Sequence, residues 1–185
     1  MNVGGVTTNY PINDPRRTGK AASTDQSFAQ QMNHVSKSNG FTLHWFDVEG
    51  EPIGACGLAD GGSVTVYKPK GFDPENPIYQ VKIWDGAGNV TERTVDIAKV
   101  DFSHCDYIDG LAYASHLTDC GKCPEAQSAF IRAQANPHGE GTVFDSITDK
   151  MNWMETVKDI MQSHYGYGDL KGYLEWKKFL GFLDQ

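Results

Sequence analysis

The chain has no long hydrophobic run and no excess of basic residues. Across its 185 residues, no apolar stretch approaches the roughly 18 residues of a membrane span. The first residues also lack the apolar segment of a secretory signal peptide, so we expect a cytoplasmic protein. Lys and Arg number 16 against 24 Asp and Glu, which gives a formal net charge of −8. Because an acidic surface repels phosphates and anionic headgroups, we expect neither nucleic acid nor a membrane as a partner.

Motifs of common enzymes are missing as well. The sequence contains no Gly-rich phosphate loop, no nucleophile elbow and no His-Glu-x-x-His motif. These absences favour a non-enzymatic protein without a cofactor. The function we predict is a binding or protein–protein interaction domain, whose partner is an unknown protein or a second copy of the chain.

Residues 1–40 are rich in Asn, Thr, Ser, Gln and Gly and contain few aliphatic side chains. Such a segment buries too little apolar surface to offset the entropy lost on ordering, so we predict a disordered polar leader. An alternative is that the leader is an export signal without a cleavable signal peptide. The protein would then be an exported effector or structural component.

Residues 41–100 alternate apolar and polar side chains with period two, which is typical of strands. The clearest case spans residues 78–97, IYQVKIWDGAGNVTERTVDI, where two alternating runs flank the turn Asp85-Gly86-Ala87-Gly88-Asn89. This pattern predicts an antiparallel hairpin. Further strands are predicted at 41–48, 53–58 and 63–68. We therefore expect an antiparallel meander of about five strands.

In residues 101–185 the apolar period changes to about 3.6, which predicts four helices. Ser103 is the expected cap of the first, and Gly121 is its expected end. Asp145 or Ser146 is the expected cap of the third. Strands followed by helices indicate a single α+β domain over 41–185. The expected apolar face of the first helix consists of Ile108, Leu111, Ala112 and Ser115. The last helix carries Leu170, Tyr173, Leu174, Phe179, Leu180 and Leu183.

The hairpin and the segment after it resemble a group of proteins from gut Clostridia to which no function is attached. The shared features are a strand, a D-x-x-G-N turn, a second strand, a Val-Asp pair and a short helix. Here they lie at 79–84, 85–89, 91–97, 100–101 and 107–114, the middle quarter of the chain. The turn is also similar to the last hairpin of bacterial immunoglobulin-like modules, but the helical half argues against a complete sandwich of that kind.

Three of the four cysteines lie in one window with two histidines. Cys120 and Cys123 form a Cys-x-x-Cys pair, which places two thiolates close enough for one tetrahedral zinc ion. Cys105 with His104 or His116 would complete the site. Free thiols in a reducing compartment are the simpler interpretation, since we expect no signal peptide. A small zinc-binding protein is therefore an alternative function.

Two pairs of carboxylates share helix faces, at spacings of three and four residues. Hydrolysis by two carboxylates usually needs groups from different elements on either side of a cleft. An acidic first helical turn, stabilised by the helix dipole, explains such pairs without catalysis. The pairs are Asp106 with Asp109 and Asp145 with Asp149.

Aromatic side chains at the hairpin are the best candidates for a binding surface. Tyr79 and Trp84 lie on a predicted strand beside the turn from Asp85 to Asn89, where we expect them to combine exposure with rigid placement. Exposed Tyr and Trp on the late helices could also anchor a partner, and the tyrosines there are Tyr165, Tyr167 and Tyr173.

Overall fold

A computed structural model describes residues 42–135 and 146–184, so the predicted leader lies outside the described residues. Strands come first and helices second, which confirms the predicted α+β class. The elements are β1 (Gly50–Gly57), β2 (Ser63–Pro69), β3 (Ile78–Trp84), β4 (Val90–Asp96), a short 3-10 helix (Ile97–Lys99), α1 (Tyr107–Asp119), α2 (Ala126–Ala135), α3 (Trp153–Gly166) and α4 (Leu170–Leu183).

The described strands form one antiparallel sheet in the order β1-β2-β3-β4. In the β3–β4 hairpin, Ile78 pairs with Asp96 at one end and Trp84 with Val90 at the other. The predicted hairpin is confirmed. Its turn is closed by the backbone N–H of Asp85, which donates to the Asn89 carbonyl at 3.0 Å.

The prediction of about five strands is wrong for the first of them. Residues 42–49 form an irregular segment with bends, and β1 starts at Gly50 and runs through the Glu51-Pro52 pair that was expected to end a strand. Proline is tolerated there because β1 is an edge strand, and the register shifts between Pro52 and Gly54. The sheet of the described residues therefore has four strands.

The irregular segment 42–49 packs on the sheet face opposite the helices. Thr65 Oγ1 donates a hydrogen bond to the His44 carbonyl at 3.1 Å. The His44 ring stacks on the Trp84 ring, with ring centres 4.4 Å apart. This covering explains why Thr65 and Trp84, on the face away from the helices, are both buried.

Helix α1 begins three residues later than a Ser103 cap implies. Asp106 is the N-cap, and its carboxylate accepts the Asp109 backbone N–H at 2.9 Å. The helix ends before Gly121, whose φ of +71° is the left-handed conformation that favours glycine. The predicted end is confirmed. So is the apolar face, because its four predicted members are fully buried: Ile108, Leu111, Ala112 and Ser115.

Helix α3 begins at Trp153 with Asn152 as its cap, not at the predicted cap Ser146; Asp145 lies outside the described residues. The helix starts later than predicted because a distant part of the chain binds the residues before it. The Met151 backbone N–H donates to the Cys105 carbonyl at 2.9 Å, which holds this part of the chain extended against the start of α1. Helix α4 follows a short turn at residues 167–169 and is capped by Asp169.

The hydrophobic core lies between one face of the sheet and α1. On its far side α2 packs against α1, and the Phe130 ring stacks on Tyr107 with ring centres 5.4 Å apart. The Trp153 ring, 4.6 Å from Phe130, attaches α3 to this core, and α4 packs on α3. The chain in these described ranges contains no helix with both the length and the apolar character needed to cross a membrane.

Candidate functional site

The two hairpin aromatics proposed for binding are buried, so the expectation that they are exposed is wrong. Tyr79 is 1% exposed and Trp84 is 7% exposed. They are five residues apart on one strand and point to opposite faces of the sheet. The Tyr79 hydroxyl hydrogen-bonds His116 Nδ1 of α1 at 2.9 Å, whereas Trp84 stacks on His44. They cannot form one surface with the turn.

The turn itself uses its polar atoms internally. The Asp85 carboxylate accepts the backbone N–H groups of Ala87 and Asn89 at 2.9 and 2.7 Å, and the Asn89 side-chain amide at 2.7 Å. The bond from the Asn89 side chain, with the backbone bonds, lowers the pKa of Asp85. These contacts assign Asp85 and Asn89 a structural role.

Helix α1 separates four of the five candidate zinc ligands, and the fifth, His116, lies on the helix itself. His104 and Cys105 precede this helix of 13 residues, and Cys120 and Cys123 follow it, so the two groups are about 20 Å apart. His116 is directed to Tyr79. No group of three His, Cys, Asp or Glu side chains among residues 42–135 and 146–184 could hold a metal ion. The structure does not bring these side chains together.

The first carboxylate pair belongs to an ion cluster. Arg93 of β4 donates to both Asp106 oxygens, at 2.7 and 3.1 Å, and also to Asp109. Asp106 is only 6% exposed, so this acidic first turn is held by a protein cation and not only by the helix dipole and water. The pair has a structural explanation in which each carboxylate faces the same guanidinium.

Exposed apolar side chains cluster where α3 meets α4. Of the six large hydrophobic residues that are exposed in the described part of the chain, four lie within ten residues of one another. We call them the hairpin patch: Tyr165, Tyr167, Leu170 and Leu174, which are 65%, 90%, 60% and 61% exposed. The Tyr173 ring borders the patch, 5.6 Å from the ring of Tyr165.

Helical geometry explains why Leu170 and Leu174 are not in the core. Leu170 and Phe179 are nine residues apart, about two and a half turns, so they lie on opposite sides of α4. Phe179 and Leu183 face the core and are 2% and 6% exposed. The apolar residues of this helix therefore lie on two opposite sides, one in the core and one exposed. The spacing of its leucines was the signal that could have shown it.

The turn beneath the patch is held by backbone and side-chain hydrogen bonds. The Tyr167 N–H donates to the Ser163 carbonyl at 3.0 Å, and the Asp169 N–H to the His164 carbonyl at 2.9 Å. The Asp169 carboxylate caps α4 by accepting the Gly172 N–H at 3.0 Å. The patch is therefore presented on a defined backbone.

A cleft lies between α2, α3 and α4, which we call the α2–α4 cleft. It consists of two neighbouring cavities of about 450 and 310 Å³. Both are lined by Arg132, Glu175 and Trp176. Sequence reasoning missed this cleft because its walls come from three helices with no common spacing.

His164 occupies one wall of this cleft with both ring nitrogens engaged. Trp176 Nε1–H donates to His164 Nε2 at 3.1 Å, so Nδ1 carries the proton and donates to Asp169 at 2.8 Å. Hydrogen bonds, first from the Gly172 N–H and then from His164, lower the pKa of Asp169. The lone pair of His164 Nε2 already accepts the Trp176 N–H, so the imidazole has no free lone pair for a reacting group. The arrangement is suited to binding more than to acid–base catalysis.

No family model, no curated protein and no solved structure matches this chain. The resemblance to proteins of gut Clostridia therefore stays a prediction, and the function has to be inferred from the geometry of the chain itself.

Proposed function

We propose that this protein is an interaction domain that binds a protein partner through the hairpin patch. The observation that supports this proposal is the clustering of four large apolar side chains, each at least 60% exposed, at one end of a helical hairpin. Single exposed apolar residues are common, but a contiguous group of them is typical of an interaction site. Covering such side chains removes apolar surface from water, which favours association.

The rigidity of the patch adds to this argument. A surface that is already ordered loses less conformational entropy when a partner binds. Here the Asp169 cap and the hydrogen bond from the Tyr167 backbone N–H fix the turn. The Tyr165 ring also packs against Tyr173. The patch is therefore prepared for docking.

Charge around the patch indicates the chemistry of the partner. Helix α4 carries three lysines, Lys171, Lys177 and Lys178, against the single acid Glu175, although the whole chain has a net charge of −8. A basic border favours a partner whose apolar positions are flanked by Asp or Glu. An amphipathic helical segment of that composition would fit the exposed face of α4.

A second copy of the chain is the less suitable occupant. A twofold, antiparallel pairing of two α4 helices centred on Leu174 would place Lys171 of each copy opposite Lys177 of the other, because both positions are three residues from the centre. Like charges directly opposite each other are unfavourable. The proposal therefore commits to an acidic, amphipathic segment of another protein.

Selection of peptides from a displayed random library tests this proposal. The immobilised full chain is the target, and the enriched peptides are then measured against purified variants. We expect enriched sequences with apolar positions flanked by acids. The double variant Leu170→Glu, Leu174→Glu should lose their binding and keep its folding, since both side chains are exposed.

Val90→Glu is the matched control, because Val90 is 47% exposed on a distant strand. It should bind the selected peptides as tightly as the wild-type chain does. The absence of enrichment, the enrichment of basic peptides, or binding that survives in the double variant would each contradict the proposal. A dimer in sedimentation that the double variant dissociates would identify a second copy as the occupant instead.

A further inference from the structure

Arg132 is an exposed cation that lies beside an aromatic ring at the α2–α4 cleft. Its guanidinium carbon lies 5.7 Å from the centre of the Trp176 ring, and Trp176 itself is buried. A guanidinium at this distance is attracted by the aromatic ring, which favours this position of the side chain. No ion pair joins Arg132 to a carboxylate within the part of the chain that the structure describes.

The other charges of the larger cavity are already matched. Lys171 Nζ lies 3.8 Å from a Glu175 oxygen, one turn along the same helix. The Asp169 carboxylate accepts hydrogen bonds from His164 and from the Gly172 N–H. Among the described residues, Arg132 is thus the cation lining this cavity that makes no ion pair with a carboxylate.

From this arrangement we infer that the α2–α4 cleft binds a small monocarboxylate with an apolar body. The carboxylate pairs with Arg132, whose two parallel N–H groups match the two oxygens. The apolar body contacts Ile160 and Trp176, which line the larger cavity. A volume of about 450 Å³ lies within the range of small-molecule sites.

The lining favours a single negative charge over a phosphate. Asp169 and Glu175 border the larger cavity, and Glu125 and Glu175 border the smaller one. Among the described residues, Lys171 in the larger cavity and Lys178 in the smaller one join Arg132, so each cavity is lined by two cations and two carboxylates. The cleft therefore has no excess of positive charge for a dianionic phosphate group, whereas a single carboxylate needs only Arg132. The site does not depend on the hairpin patch, so either proposal can fail without the other.

Three probe compounds test the site by NMR of the full chain: benzoate, its neutral counterpart benzamide, and phenyl phosphate. The resonance of the Trp176 indole N–H reports binding, since this group donates to His164 inside the cleft. We expect benzoate to shift the resonance in a saturable way and benzamide to leave it in place. Arg132→Gln should weaken benzoate binding by about tenfold or more, because a charge-assisted pair is lost.

Lys177→Gln removes a nearby cation of α4 that does not line the cleft, and it should bind benzoate like the wild-type chain. The double variant Leu170→Glu, Leu174→Glu should also keep benzoate binding, which separates this site from the hairpin patch. Equal affinity for benzamide, tighter binding of phenyl phosphate, undiminished binding by Arg132→Gln, or no binding of benzoate would each overturn the inference.

Discussion

Arg93 of β4 holds the carboxylate of Asp106 through two hydrogen bonds, at 2.7 and 3.1 Å. Asp106 is also the N-cap of α1, so one carboxylate stabilises the start of the helix and joins it to the last strand. The same guanidinium reaches Asp109 in the first turn of α1. This cluster links the β-rich half of the domain to its helical half.

Replacing Arg93 by Met should destabilise the domain by about 3 kcal/mol, since Asp106 is left as a buried charge without its partner. Urea unfolding measures the change. Lys99→Met is the control: Lys99 pairs with Asp96, but its side chain is 82% exposed, and water screens that pair. We expect no measurable change for the control, and similar effects of the two substitutions would contradict the role given to Arg93.

Two glycine-to-alanine substitutions in helices should act in opposite directions. A Cβ at Gly110 of α1 would lie 2.2 Å from Cζ of Phe130, a fully buried ring. At Gly181 of α4 a Cβ would meet no atom of the described residues within 4 Å. Gly110→Ala should destabilise by about 1–2 kcal/mol, because overpacking exceeds the gain in helix propensity. Gly181→Ala should stabilise by about 0.5 kcal/mol. Thermal unfolding compares them, and a stabilised Gly110→Ala protein would show that α1 and α2 are not in close contact.

Acid should destabilise the protein partly through His116. Burial, with Lys122 contributing, lowers the pKa of His116 from its ordinary value of 6.5. The folded chain then binds fewer protons than the unfolded chain just below this pH. Stability is therefore fully present above pH 6.5 and is lost as the pH falls towards the lowered pKa.

His116→Gln removes this proton linkage, whereas every other histidine and carboxylate is common to both proteins. Urea unfolding at about pH 7.5 and about pH 5 should show a larger loss of stability for the wild-type chain than for the variant. Equal losses would mean that His116 titrates in the folded protein as it does in the unfolded chain.

Thiol labelling distinguishes buried cysteines from accessible ones. Cys56, Cys105 and Cys123 are buried and Cys120 is exposed. Burial raises the pKa of Cys56 to about 11 and that of Cys105 to about 12, so their reactive thiolates are disfavoured.

A water-soluble disulfide reagent should therefore modify about one of the four thiols in the native protein and all four after denaturation. Cys120→Ser should remove the native reaction. A native reactivity that rises when a chelator is added would instead support the zinc alternative, because a bound metal would have been protecting Cys120.

Local patterns in the sequence were sufficient for the features that depend on neighbouring residues. The β3–β4 turn is held by hydrogen bonds among residues 85–89 of the turn itself, and the end of α1 by the left-handed conformation of Gly121. The buried face of α1 follows from helical spacing. These features need no distant part of the chain, and they were predicted.

The positions of the candidate sites were decided by tertiary structure. Period-two alternation places Trp84 on a sheet face, but only the segment 42–49 lying on that face makes Trp84 buried. Proximity in sequence suggested one cluster of cysteines, whereas the length of α1 separates Cys105 from Cys120. The α2–α4 cleft combines side chains more than 40 residues apart, from Arg132 to Trp176. Periodicity determines which side chains share a face, and packing determines which face is covered and which is left to bind.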